Sequence, residues 1–125
     1  MTATAPDYRM LFGRNLGVLT EAEQERIRKT RILIIGDTGS GETLCSALAR
    51  CGFERIAIAG EGRYAPADTN RQIGCFVDTL GRPKVEVTAE TVRAINPGAK
   101  VTVYPRLPTE EEIPGLVAGA DIVIP

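Results

Sequence analysis

Histidine is absent from the 125 residues. Its absence removes the commonest general base and metal ligand, and with them every Ser/His and Cys/His catalytic pair. Cysteine is scarce. Cys45, Cys51 and Cys75 form no C-x-x-C and are odd in number, so neither a disulfide framework nor a zinc site is legible. Cys45 and Cys51 fall in an apolar helical stretch and read as small buried hydrophobes, whereas Cys75 follows Gly74 in a presumed loop. A charge excess of either sign is also missing: 15 Lys plus Arg against 16 Asp plus Glu leave -1. No chain-wide field therefore recruits nucleic acid or an anionic membrane. Nothing approaches the roughly 18 apolar residues of a membrane span, and Met1 to Pro6 lack the charged start and apolar core of a signal peptide. These absences predict a cytoplasmic protein with residues 1–6 as a mobile tail and 7–125 as one folded unit.

What is present is the composition of an ordinary globule, 43% hydrophobic and 25% charged. Thr20-Glu21-Ala22-Glu23 has capping-box spacing and opens a charged surface helix running to Lys29. Arg31-Ile32-Leu33-Ile34-Ile35-Gly36 is a continuous apolar run ending in Gly, the mark of a strand buried on both faces. Leu44, Ala47, Leu48 and Cys51 recur at helical spacing, Gly52 stops that helix, and Arg55 to Ala59 reads as a second strand. A long polar segment, Gly60 to Asp78, has the length of a functional loop. Residues 83–95 form another helix, with Pro83 in its first turn and Val85, Ala89 and Val92 on one face. Lys100 to Tyr104 is a third strand and Asp121 to Ile124 a fourth. Between them a short helical turn falls within Thr109 to Ala118, where Pro114 argues against an unbroken helix. The alternation predicts an α/β, doubly wound parallel sheet, Rossmann-like, with its ligand beyond the carboxyl ends of the strands.

The turn between the first strand and its helix, Gly36-Asp37-Thr38-Gly39-Ser40-Gly41-Glu42-Thr43, nearly fits two phosphate-binding motifs. As a P-loop it has Glu42 where the lysine belongs. As G-x-G-x-x-G it keeps Gly36 and Gly41 but has Thr38 where the second glycine lets backbone approach a pyrophosphate. The acid expected about 20 residues on, at the end of the second strand, is replaced by Gly60 with Glu61 just past it. A turn that merely links strand to helix remains open, and an NAD-dependent oxidoreductase gains only the generic βαβ unit.

The order Arg14-Asn15-Leu16-Gly17, the Gly-rich turn, Asp68-Thr69-Asn70-Arg71-Gln72, Gly81-Arg82-Pro83-Lys84 and Ile95-Asn96-Pro97 carries a resemblance. From Arg14 to Ile124 the sequence resembles the ThiF/MoeB/HesA family, adenylating domains related to ubiquitin-activating enzymes; the residues here match the N-terminal part of a ThiF-type fold. The resemblance implies binding of ATP with Mg and joining of a carboxylate, such as the C-terminus of a ubiquitin-like or sulfur-carrier protein, to AMP. It implies that Arg71 and Lys84 act on the phosphates and that Gln72 holds that geometry. Gly36, Thr38, Gly39, Gly41, Glu61 and Asn70 complete the nucleotide site, and Arg14 reaches a phosphate from a neighbouring subunit in some relatives. The bland alternative makes these cations solvated or paired surface residues.

Three stretches depart from the family pattern: Thr38 stands for Gly, Gly60-Glu61-Gly62 for an Asp-x-Asp whose first Asp holds the ribose, and Asp68 for Asn. The family also continues past its fourth strand. The expectation is thus an adenylyltransferase domain that is degenerate or incomplete as this chain alone, its apolar fourth strand covered by a second copy or by a missing C-terminal half. The alternative is a non-catalytic structural or protein-binding relative that has lost nucleotide binding.

Overall fold

The structure, a computed structural model, describes residues 4–37 and 39–125. Its elements in chain order are α1 (Tyr8–Phe12), a 3-10 turn (Gly13–Asn15), α2 (Glu21–Lys29), β1 (Arg31–Ile35), α3 (Gly39–Cys51), β2 (Arg55–Ala59), a 3-10 turn (Pro66–Asp68), α4 (Lys84–Ile95), β3 (Lys100–Tyr104), α5 (Ile113–Ala118) and β4 (Ile122–Ile124). The four strands are parallel in the order β3-β2-β1-β4. Strand order reverses between β1 and β4, so the crevice opens at the carboxyl end of β1, flanked by the end of β4 on one side and the loop after β2 on the other.

Side-chain alternation sorts the sheet into two faces. Ile32, Ile34, Ile56 and Ile58 turn to one side, where Cys45 and Ala49 of α3 and Val85 and Val92 of α4 complete the core. The opposite face carries Leu33, Ala57, Thr102 and Tyr104, which with Gly115 and Leu116 of α5 border a cavity of about 390 Å³. At its amino end Arg31, Arg55 and Lys100 stand side by side in register. No helix among the described residues is long and apolar enough to cross a membrane.

Three expectations need correction. The inward stripe of α3 is Glu42, Cys45 and Ala49, flanked by Leu44 and Leu48; Ala47 and Cys51 are exposed. The predicted stripe was therefore rotated by about one residue, because α3 starts at Gly39 and packs against both the sheet and α4. Buried Cys45 has its thiol pushed up to about 12, first by desolvation. Second, α2 is not only a surface helix. Gln24 is buried: its Nε2 donates to the Tyr8 hydroxyl (2.8 Å) and the Cys51 carbonyl (3.0 Å), and its Oε1 accepts from Asn15 Nδ2. These bonds clasp the N-terminal turns to the far end of α3.

The short helical turn expected within 109–118 is α5, with Pro114 in its first turn, where a missing N–H costs nothing. Third, Pro83 precedes α4 as its N-cap instead of lying within the first turn. In the expected tail, residues 1–3 lie outside the described residues; residues 4–6 are exposed and have no regular structure.

Candidate functional site

Gly36 follows β1 with φ 118°, a left-handed backbone that side chains resist, and its N–H is fixed to the Ala59 carbonyl at 2.7 Å. Three residues on, α3 begins, and its first amides have no partner within the helix. The turn is compact: a Cβ on Gly41 would stand 3.0 Å from the Gly36 carbonyl oxygen. Gly36, Gly39 and Gly41 thus form a backbone cradle at the positive end of a 13-residue helix. Thr38, the fourth turn residue singled out in the sequence, lies outside the described residues.

Glu42 belongs to the buried stripe of α3. The Tyr64 hydroxyl donates to Glu42 Oε1 at 2.6 Å, while Oε2 is buried without a partner among the described residues. Burial first, and then the hydrogen bond to Glu42, push the Tyr64 phenol far above its ordinary range, so it stays a donor. The Lys84 ammonium lies 5.8 Å from the centre of the Tyr64 ring, within cation–π reach.

The loop after β2 is folded rather than loose. Tyr64 and Cys75 pack with Val87 of α4 in a small second core. The 3-10 turn at Pro66–Asp68 presents the buried carboxylate of Asp68, which gathers the predicted cations. Lys84 Nζ lies 3.4 Å from Asp68 Oδ2, Arg71 Nη2 lies 3.2 Å from Oδ1, and Gln72 Nε2 donates to Oδ1 at 2.9 Å. The Ala65 amide, ahead of the Lys84 and Arg71 charges, holds the Asp68 carboxyl below the usual carboxylate range. Lys84 is fixed at its backbone too, its N–H donating to Gly62 O at 2.9 Å. Gln72 Oε1 is buried without a partner among the described residues, an acceptor with unused capacity inside the cluster.

Arg71, Gln72 and Lys84 are thus brought together beside the turn. Asn70 and Glu61 are exposed on the loops around them. Arg14 is not brought in. It is exposed in the 3-10 turn whose neighbour Asn15 donates to the Cys51 carbonyl, at the far end of α3. That helix is about 20 Å long, so Arg14 stands well away from the cradle of its own chain. Two acids carry more of the geometry than sequence reasoning gave them: Asp68, and Asp37, whose carboxylate accepts the Gly62 N–H. The signal for Asp37 was the pair of glycines at 60 and 62, which leave the room it fills.

The model of the ThiF family matches residues 12–125. The chain belongs to the ThiF family. Among relatives of this ThiF-family chain, the protein HesA of Nostoc sp. (strain PCC 7120) is 33% identical over 104 residues, 83% of this chain and 41% of that protein. The tRNA threonylcarbamoyladenosine dehydratase of Escherichia coli K12 is 32% identical over 106 residues, 85% of this chain and 40% of that protein. The structure of that E. coli dehydratase, TcdA, in complex with ATP superposes with a TM-score of 0.88 at 30% identity, covering 97% of this chain and 51% of the other. A sulfur carrier protein adenylyltransferase of Thermus thermophilus is 26% identical over 101 residues, 81% of this chain and 37% of that protein. The chain spans about two fifths of the length of these curated relatives.

Proposed function

We propose that this chain binds ATP with Mg in the crevice between the Gly36–Gly41 turn and the Asp68 cluster, as the nucleotide-binding part of an enzyme that joins a carboxylate to AMP. The observation that supports this most is the convergence of Lys84, Arg71 and buried Gln72 on Asp68, beside a glycine cradle at a helix N-terminus. The residues present fit a triphosphate. Backbone amides of α3 meet one phosphate, and Lys84 and Arg71 supply the charge that an ionised pyrophosphate leaving group needs. A carboxylate is already a nucleophile at neutral pH, so a chain without histidine loses nothing for this reaction. Among the described residues no three acidic or thiol side chains converge on a metal site. A magnesium ion is proposed to bind through the phosphates together with one or two carboxylates.

Arg14 reaches this crevice only from another copy, so we propose a homodimer in which each chain completes its partner's site. The carboxylate is proposed to be the C-terminus of a ubiquitin-like or sulfur-carrier protein, as the T. thermophilus relative's name suggests. The cytoplasm, where ATP is abundant and the three free cysteines stay reduced, is the proposed compartment. One observation favours the second reading, a non-catalytic relative: Asp68 neutralises both cations that the phosphates would use.

Calorimetric titration with ATP and magnesium tests the proposal. Binding is expected in the wild type and is expected to weaken at least tenfold in Arg71→Ala, the loss of one charged contact to phosphate. No binding at millimolar ATP in either protein would leave the non-catalytic reading.

A further inference from the structure

Asp37 and the two glycines of Gly60-Glu61-Gly62 occupy one another's space. A Cβ on Gly60 would have Asp37 Cβ and Oδ2 each 2.6 Å away, and its three nearest atoms all belong to Asp37. The same holds at Gly62, where a Cβ would meet Asp37 Oδ2 at 2.8 Å and Oδ1 at 3.0 Å. The Gly62 N–H donates to Asp37 Oδ2, so the carboxylate is anchored on the loop after β2 although its backbone follows β1. Ile35 and Ala59 are register partners, which places Asp37 and Gly60 within two residues of the carboxyl ends of adjacent parallel strands.

In sheets of this type the carboxylate at the end of the second strand accepts hydrogen bonds from a ribose of the nucleotide whose phosphates sit on the neighbouring helix N-terminus. Here the second strand ends in glycine. We infer that Asp37, reaching across from the phosphate turn into the space left by Gly60 and Gly62, is the carboxylate that reads the ribose hydroxyls of the bound nucleotide. The inference rests on the ATP-binding reading above. An ionised carboxylate has about four lone-pair directions, so the bond to Gly62 leaves capacity for two hydroxyl donors. Anchoring on the β2 loop also commits the negative charge to that side of the crevice rather than to the phosphate cradle. A corollary concerns Gly60→Asp, which would set a second carboxylate into the first; it is expected to weaken nucleotide binding instead of improving it.

The experiment compares calorimetric binding of ATP and of 2′,3′-dideoxy-ATP, each with magnesium, to the full chain and to Asp37→Asn, Asp37→Gly/Gly60→Asp and Arg71→Ala. Wild type is expected to prefer ATP by about tenfold or more, the worth of a charge-assisted hydrogen bond to a sugar hydroxyl. Asp37→Asn should reduce that preference severalfold, the double variant should restore it by returning a carboxylate from the other strand, and Arg71→Ala should weaken both nucleotides equally. If Asp37 only braces the loop, Asp37→Asn would weaken both nucleotides together with the preference intact, which would overturn the inference while ATP binding stands. Equal wild-type affinity for the two nucleotides would overturn it as well. Absence of any wild-type binding would overturn the ATP reading and this one with it.

Discussion

Asp68 is a single carboxylate with two opposite effects on its neighbours. It holds Lys84, Arg71 and Gln72 in one place, and it cancels part of the charge they would offer to phosphate. Since the Arg71 side chain is 63% exposed and the Lys84 side chain 13%, the cancellation falls mainly on Lys84, whose pair is less screened by water. Asp68→Asn keeps an acceptor for Gln72 and removes the charge. It is expected to tighten ATP severalfold while leaving adenosine binding unchanged, a contrast that titration of the two ligands reads directly. Of this cluster, Arg71, Gln72 and Lys84 were singled out in the sequence by the resemblance that Asn70-Arg71-Gln72 and Gly81-Arg82-Pro83-Lys84 carry, and the structure brings their side chains together. The grip of Asp68 and the reach of Asp37 were not: both depend on backbone folding back in space, the first through a 3-10 turn and the second through missing side chains at 60 and 62. The burial of Glu42 was hidden for a related reason. Its partner Tyr64 lies 22 residues away, on a loop with no periodicity to reveal its inner side.

The helices and strands obeyed their local signals closely where the signal was chemical. The capping box at Thr20 and Glu23 is formed in both directions, with the Thr20 side chain accepting the Glu23 amide and Glu23 accepting the Thr20 amide. Thr20→Ala should cost about 1 kcal/mol in denaturant unfolding, the usual worth of such a cap. The strands β1, β2 and β3 were legible because each is a short apolar or β-branched run bounded by turn residues. The face of α3 was harder. Apolar residues at 44, 47, 48 and 51 satisfy a helical period, yet the stripe that meets the sheet is centred on Cys45 and Ala49, and it includes a glutamate that no hydrophobic pattern would select. The short turns α1 and Gly13–Asn15 escaped altogether, since one or two turns carry too few residues to show a period; tertiary bonds from Tyr8 and Asn15 hold them.

At the scale of the whole molecule, the strand at one edge is fastened by charge as much as by its ladder. Asp121, just before β4, accepts the Arg31 backbone amide at 2.8 Å and pairs with its guanidinium at 2.9 Å. The Arg31 side chain, foremost, holds the Asp121 carboxyl at about 2. A carboxyl depressed by folding stabilises the fold only while it is ionised. That contribution is complete above the ordinary aspartate value of about 4 and is lost as pH falls towards the folded value. Asp121→Asn is therefore expected to lower the denaturant midpoint at pH 6, and the difference from wild type should vanish near pH 2. Exposed Ile122, Val123, Phe76 and Val77 are the surfaces we expect a second copy or further chain to cover. The pairing of β4 with β1 also sets an order of events. Strands β1, β2 and β3 can assemble from segments close in sequence, whereas the Arg31–Asp121 contact closes a span of 90 residues. Once those three strands are paired, only the segment after Tyr104 is left to close, so the edge of β1 is expected to be covered last and at a small cost in loop entropy.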